Sequence, residues 1–434
     1  MPGMSGVRGV SEEAYKRKYT FGEDYGTSFY KFGPITCGEV PEVIENRGYF
    51  PDESMIMFQI AGKPKEVVVG DEIAQFLGAK EELVERLVYP MRNGVIERGD
   101  ERAWRVVEEI TRYGLERFRP KADPAFDGFY VCASLSAVAP RYMYERLFDI
   151  HKRIDEETGL VRAVTIIPQP LAVAIAHKEV TCVVIESGHG NTQVCPVSRY
   201  PVRRAVVALN RGGGDANAIT SQILYDAGYS DLAKEETIVR MVKEAVGLVP
   251  RDLDQAMRVA KAEPERFRAV VKIPGTRITI DLGEESWARF LIGEYVFDPG
   301  HEIFQSYFAR GMPRPSDVKI GDVLFRGMLD FGEAIVEAVE RCPVELQPHL
   351  YRKVLLSGGN FQWKVPPELS DVAVDSVTKI SLLLREKGVE DVSVKMAREP
   401  KYSVWRGCII YGYVVSERFE WSWDRMEGWM RFRP

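Results

Sequence analysis

Two short stretches decide the fold: Phe21-Gly-Glu-Asp24-Tyr-Gly26-Thr27-Ser28 and Val184-Ile-Glu186-Ser-Gly188-His-Gly190-Asn-Thr192. Each reads as a strand that ends in a carboxylate, then one residue, a glycine and small polar side chains. They stand about 160 residues apart. Two such turns predict two related lobes facing each other across a cleft.

The chemistry of the turns points to phosphate. Tight turns without bulky Cβ atoms let successive backbone N–H groups converge on phosphate oxygens, which suits Gly26, Gly188 and Gly190. Thr27 and Ser28 add hydroxyl donors. Asp24 and Glu186 are hard oxygen ligands at the strand tips, suited to hydrated magnesium, which keeps several waters and needs few protein carboxylates. Lys31, on the expected return strand, brings a point charge to the phosphates. A lone turn of this type is more often a plain hairpin. The order and spacing of the two carry the argument.

Outward from these turns the chain alternates strand and helix, which predicts an α/β architecture. Val180–Glu186, Lys353–Ser357, Arg162–Ile167 and Tyr130–Leu135 are short, apolar, β-branched-rich runs, as in strands covered on both faces. Helical spacing is clear in Glu101–Phe118, with Trp104, Val107, Ile110 and Leu115 on one side. It recurs in Ala216–Ala227, which stops at Gly228, and in Glu236–Leu248, where Arg240, Lys243 and Glu244 lie off the apolar stripe.

Composition narrows the classes. The 434 residues suggest more than one lobe, and 45% hydrophobic with 28% charged residues allows sizeable cores. A net charge of −6 argues against a dedicated nucleic-acid binder. No run reaches the length of a membrane-spanning helix, and Met1–Tyr19 lacks the apolar core of a signal peptide, so a cytoplasmic protein without membrane insertion is expected. The six cysteines are scattered with no C-x-x-C pair, as expected of plain thiols. Only 6 Asn and 9 Gln beside abundant Glu, Lys and Arg lean towards a thermophilic source.

The order of blocks resembles the actin superfamily, from about residue 19 to about residue 429. Asp24-Tyr-Gly-Thr-Ser-Phe-Tyr-Lys31 looks like the family's first phosphate loop, and Glu186-Ser-Gly-His-Gly-Asn-Thr192 like its second. Val69-Gly-Asp-Glu72 and Tyr89-Pro-Met-Arg-Asn-Gly94 resemble the segments bracketing a small second subdomain. Gln169-Pro-Leu-Ala-Val-Ala174 is similar to the connecting segment that carries a glutamine. Gly212-Gly-Gly-Asp215, Arg240-x-x-Lys243-Glu244 and Ser357-Gly-Gly359 match nucleotide-binding blocks, and Lys401-Tyr-Ser-Val-Trp405 is the most specific. The overall flavour is closest to the archaeal actins called crenactins.

The resemblance implies an actin/hexokinase-type ATPase fold, α/β, with two lobes and four subdomains around a nucleotide cleft. It divides the chain into subdomain 1 (1–47, 90–175, 403–434), subdomain 2 (48–89, with an assembly loop about 51–65), subdomain 3 (176–211, 301–402) and subdomain 4 (212–300). It implies that Asp24 and Glu186 organise Mg²⁺ through water, with Gln169 orienting the attacking water for ATP hydrolysis. A neutral glutamine suffices for that role, because phosphoryl transfer needs chiefly positioning. Gly26, Thr27, Ser28 and Lys31 would meet the phosphates, together with Gly188, His189, Gly190, Asn191 and Gly213. Lys243, Glu244, Gly358, Gly359 and Lys401 would surround the adenosine of ATP or ADP, with Trp363 as a stacking wall or a core residue. Animal and yeast actins carry Asp in place of Glu186 and of His189, and His in place of Gln193.

The function implied by this resemblance is that of a cytoskeletal ATPase that polymerises into actin-like filaments, its partner being itself and filament-associated proteins. The alternative is a non-polymerising actin-related subunit of a larger complex. A sugar kinase or chaperone of the same superfamily fits less well, lacking the Lys401–Trp405 block or continuing into a long peptide-binding region. Ser54-Met-Ile-Met-Phe-Gln-Ile60, with five apolar side chains in seven, is expected either to dock into the next subunit or to form a short packed strand.

Overall fold

The computed structural model describes residues 11–51, 65–76, 86–321 and 323–433. The expected assembly segment Ser54–Ile60 lies outside them. The chain divides into two units, one built from residues 1–179 and 402–434, the other from 180–401.

The first unit is organised by β1 (Thr20–Tyr25), β2 (Phe29–Pro34) and β3 (Glu42–Glu45), followed by α1 (Glu101–Arg117), β4 (Phe129–Leu135), α2 (Arg141–Thr158), β5 (Val161–Pro168) and α3 (Gln169–Ala176). Its six-stranded sheet runs β3-β2-β1-β4-β5 and ends on Met430–Arg431. The first three strands pair antiparallel, whereas β1, β4 and β5 run parallel. All six residues of β1 and all seven of β4 are buried; β4 is a largely apolar, two-faced strand, whereas β1 also buries Thr20, Glu23 and Asp24. Asp100 starts α1 by accepting from Ala103 N at 2.9 Å. A small three-stranded sheet joins Gly48–Tyr49, Val68–Val69 and Leu87–Val88.

The helix Ser403–Val414 closes the first unit against β1 and α3. Trp405 is buried, and its indole N–H donates to Gly33 O at 3.2 Å. Gly407 faces α3 so closely that a Cβ there would lie 1.9 Å from Ala172 O.

The second unit repeats the plan. Its strands β6 (Thr181–Ser187), β7 (Thr192–Ser198) and β8 (Val207–Leu209) are antiparallel. After α4 (Gly213–Asp226) and α5 (Glu236–Val246), β9 (Val354–Ser357) pairs parallel with β6, and Val394–Met396 parallel with β9. The order β8-β7-β6-β9 therefore matches β3-β2-β1-β4, so the echo between the two turns extends to whole sheets. One difference from the periodicity is the start of α4, at Gly213 rather than Ala216. Three glycines hide the start, and Asp215 caps it by accepting from Gly212 N at 2.8 Å.

Candidate functional site

In the first unit the hairpin register sets Asp24 opposite Lys31 and Tyr25 opposite Tyr30. Asp24 is almost fully buried and takes three donors: Lys31 Nζ at 2.5 Å, Gln169 Nε2 at 3.0 Å and Ser134 Oγ at 3.3 Å. An ionised carboxylate accepts about four hydrogen bonds, so this set leaves capacity for a further donor such as a metal-bound water. Gln169 opens α3 behind Pro168, and its Nε2 also donates to Tyr25 O at 3.2 Å. Gln169 lies 145 residues from Asp24 in sequence, and the parallel strands β1, β4 and β5 bring it to the hairpin that carries Asp24 and Lys31.

The loop itself is fixed by its backbone. Gly26 N donates to Phe29 O at 3.0 Å, and a Cβ on Gly26 would sit 2.8 Å from that oxygen. Asn46 Nδ2 donates to Gly26 O at 2.8 Å, and Gly94 N donates to Thr27 Oγ1 at 3.1 Å. Asn46 and Ser134 were missed in the sequence. Ser134 lies in the run Tyr130–Leu135, which reads only as a strand, and Asn46 carries no local signal.

In the second unit β6 and β7 close over Gly188–Asn191, with Gly188 N donating to Asn191 O at 3.0 Å. Glu186 stands opposite Gln193, whose Nε2 reaches Glu186 Oε2 at 3.5 Å, a long contact. Gly213 N donates to Gly188 O at 2.9 Å and Gly214 N to His189 O at 2.8 Å, so the head of α4 is stitched to the loop. Asn360 Nδ2 donates to Gly188 O at 2.8 Å and Ser187 Oγ at 3.1 Å. Thr192 Oγ1 donates to Arg211 O at 2.9 Å. The Arg211 guanidinium, fully buried, donates to the carbonyls of Val296, Gly327 and Leu329. Burial lowers its pKa to about 10. Asn360 and Arg211 are a second pair that sequence reading missed. They work through contacts more than 80 residues away in sequence.

Glycine is required at two places here. Gly358 has φ 101°, and a Cβ would fall 2.1 Å from Ser187 O. A Cβ on Gly212 would fall 2.4 Å from His189 O. Each lets two backbones touch at the loop.

Cations gather beside it. Lys243 is buried and donates to Gly213 O at 3.2 Å, and burial, with Arg240 and Lys401 nearby, lowers its pKa to about 8. Burial, then Lys243, holds the His189 imidazole below its ordinary value. Glu244 and Lys401 are exposed, and Gly359 would set a Cβ 3.9 Å from Lys401 Cε. Trp363 packs partly buried on the core of this unit, against Gly247. Its buried indole N–H has no protein acceptor among the described residues.

Each unit thus carries one carboxylate-tipped hairpin loop of the kind that holds phosphate and hydrated magnesium. The donor sets fit both: hard carboxylate oxygens, already braced by protein donors, beside glycine turns. No helix among the described residues is long and apolar enough to cross a membrane.

Comparison with known proteins agrees with this geometry. The sequence profile of the actin family matches residues 62–423. The chain is 25% identical over 340 residues to actin-related protein 3 of Saccharomyces cerevisiae, covering 74% of this chain and 67% of that protein. It is 25% identical to actin-related protein 3 of Schizosaccharomyces pombe, with 74% and 70% covered. It is 26% identical to an actin-like protein of Neurospora crassa, with 63% of each covered.

Proposed function

The chain belongs to the actin family and has its α/β ATPase fold, and on that premise we propose that it binds and hydrolyses magnesium ATP as an actin-related subunit of a protein assembly. The observation that carries the nucleotide reading is the paired hairpin loops, each with a carboxylate at the strand tip and glycines at the turn. The subunit reading is supported by two relatives named actin-related protein 3.

Asp24 and Glu186 are the residues that would hold hydrated Mg²⁺, which when bound would supply charge neutralisation along the phosphates. Lys31 adds a cation held in place by Asp24. The loops Gly26–Ser28 and Gly188–Asn191 contact phosphate oxygens, while Gly213, whose N–H is held by Gly188 O, braces the second loop instead of donating to the ligand. Gln169 orients the attacking water, and its buried anchorage on Asp24 and Tyr25 O limits the rotamers it must give up. Lys243, Glu244, Gly358, Gly359 and Lys401 line the adenosine. Titration with a fluorescent ATP analogue, with and without EDTA, tests the reading. Magnesium-dependent binding supports it, and no binding overturns it.

A second reading is a homopolymer in the cytoplasm, of the crenactin kind. The fully braced first loop favours it, since a nucleotide-regulated polymer needs a working phosphate site. Negative-stain microscopy and pelleting of the purified protein in ATP separate the two. Filaments formed by this chain alone overturn the subunit reading.

A further inference from the structure

His189 sits at the turn of the second loop, where its backbone carbonyl accepts from Gly214 N at 2.8 Å. The leading N–H groups of α4 are engaged by the chain itself: Gly212 N by Asp215, Gly213 N by Gly188 O and Gly214 N by His189 O. They are not offered to a ligand, so side chains must do more of the work there. The His189 ring lies over the start of α4, its Nε2 3.2 Å from where a Cβ on Gly214 would stand. Glycine at 214 leaves room for the imidazole. Among the described residues no hydrogen bond reaches either ring nitrogen.

The charged groups around the ring are Lys243, Arg240 and Glu236 on α5. Asp215 on α4 is tied to Gly212 N, and Lys401 and Glu244 act on Lys243. With no anion present the balance is cationic and the ring is part-buried, which disfavours a further positive charge. A polyphosphate reverses that balance.

We infer that His189 is a proton-coupled phosphate contact, which meets the phosphate chain of the nucleotide as an imidazolium and takes its proton from solvent as the nucleotide binds. This rests on the nucleotide reading above. No bond to phosphorus forms or breaks. One ring nitrogen gains a proton from water or buffer, and the cation then donates a charge-assisted hydrogen bond to a phosphate oxygen. The sign comes from linkage. Free His189 titrates below the ordinary imidazole range because of burial and Lys243, and bound phosphate raises it. Between those two values binding takes up a proton, so affinity falls as pH rises.

Calorimetry of Mg-ATP binding in buffers of different ionisation enthalpy reads the proton count directly. A pH near 7 isolates His189, because Lys243, at about 8, is already mostly charged there. The parent should take up roughly half to one proton, and its affinity should fall by up to about tenfold per pH unit within the window. His189→Gln and His189→Asn, each with a thermal midpoint close to the parent, should take up almost none and bind with a flat pH profile. Undiminished uptake in both variants assigns the proton to another group and overturns the inference. Tight binding by the parent without uptake also overturns it, while the nucleotide reading stands. No binding by the parent removes the nucleotide reading itself, and this inference with it.

Discussion

Asp24 is the residue on which the first loop turns. Its carboxylate is nearly inaccessible, yet it gathers an ammonium, an amide and a hydroxyl. Asp24→Asn keeps the shape and removes the charge, so magnesium-dependent ATP affinity should fall at least tenfold, since charge-assisted contacts contribute about 1.5–3 kcal/mol. Titration with and without EDTA checks this, and equal affinity in both removes Asp24 from the site. Gln169→Ala should slow phosphate release by about a hundredfold or more while leaving ATP affinity within a few-fold. Single-turnover hydrolysis measures the two separately, and a parental rate would assign the water to another group, such as His189 or Gln193. Asp24 and Lys31 were legible because their local block carries its own chemistry, and Gln169 only because its segment resembles one of the family's. Ser134, Asn46, Asn360 and Arg211 were not, since an ordinary Ser, Asn or Arg carries no local signal and only the folded chain brings it to the loop.

Elements are positioned by close backbone approach. The helix Ser403–Val414 meets α3 at Gly407, with no space for even a methyl group beside Ala172 O. Gly407→Ala should push α3 outward, costing about 1–3 kcal/mol. Because α3 carries Gln169, hydrolysis should slow more than ATP affinity weakens. Denaturant unfolding and steady-state kinetics test both halves, and unchanged hydrolysis would show that α3 does not set the position of Gln169. In the second unit, Arg211 bolts three carbonyls beneath the Gly212–Gly214 turn. Arg211→Met leaves those carbonyls without their donor and should cost about 3–5 kcal/mol, seen as a large fall in thermal midpoint. Strand and helix positions were largely readable from two-faced apolar runs and helical spacing. The three-residue error at the start of α4 arose because glycines carry no periodic signal, although Asp215 held the clue as a cap.

For the whole molecule, two units with matching sheet order explain why paired turns about 160 residues apart foretold the plan. The block Lys401–Trp405 was legible only through its family resemblance; in the folded chain Trp405 is a buried anchor with a fixed hydrogen bond. Assembly was less legible, because a surface that docks with a partner carries no internal pattern. Met57→Asp, with Ile56→Asp as a second probe, should abolish pelleting and light-scattering growth in ATP if the protein polymerises through that segment. Mg-ATP affinity should stay within about twofold. Normal growth by both variants would acquit the segment, and a parent that never pellets leaves the actin-related-subunit reading in place.

The division of the first unit between residues 1–179 and 402–434 bears on the order of events at the ribosome. The second unit is one unbroken stretch, complete once residue 401 has emerged, and can close its core while synthesis continues. The first unit, although begun earlier, must wait for Trp405, Gly407 and the edge strand Met430–Arg431, all made after that point. A nascent chain arrested near residue 400 should therefore carry a protease-resistant 180–401 core and a protease-sensitive N-terminal half. The carboxylate-tipped loop synthesised first would thus be the later one to take its final form.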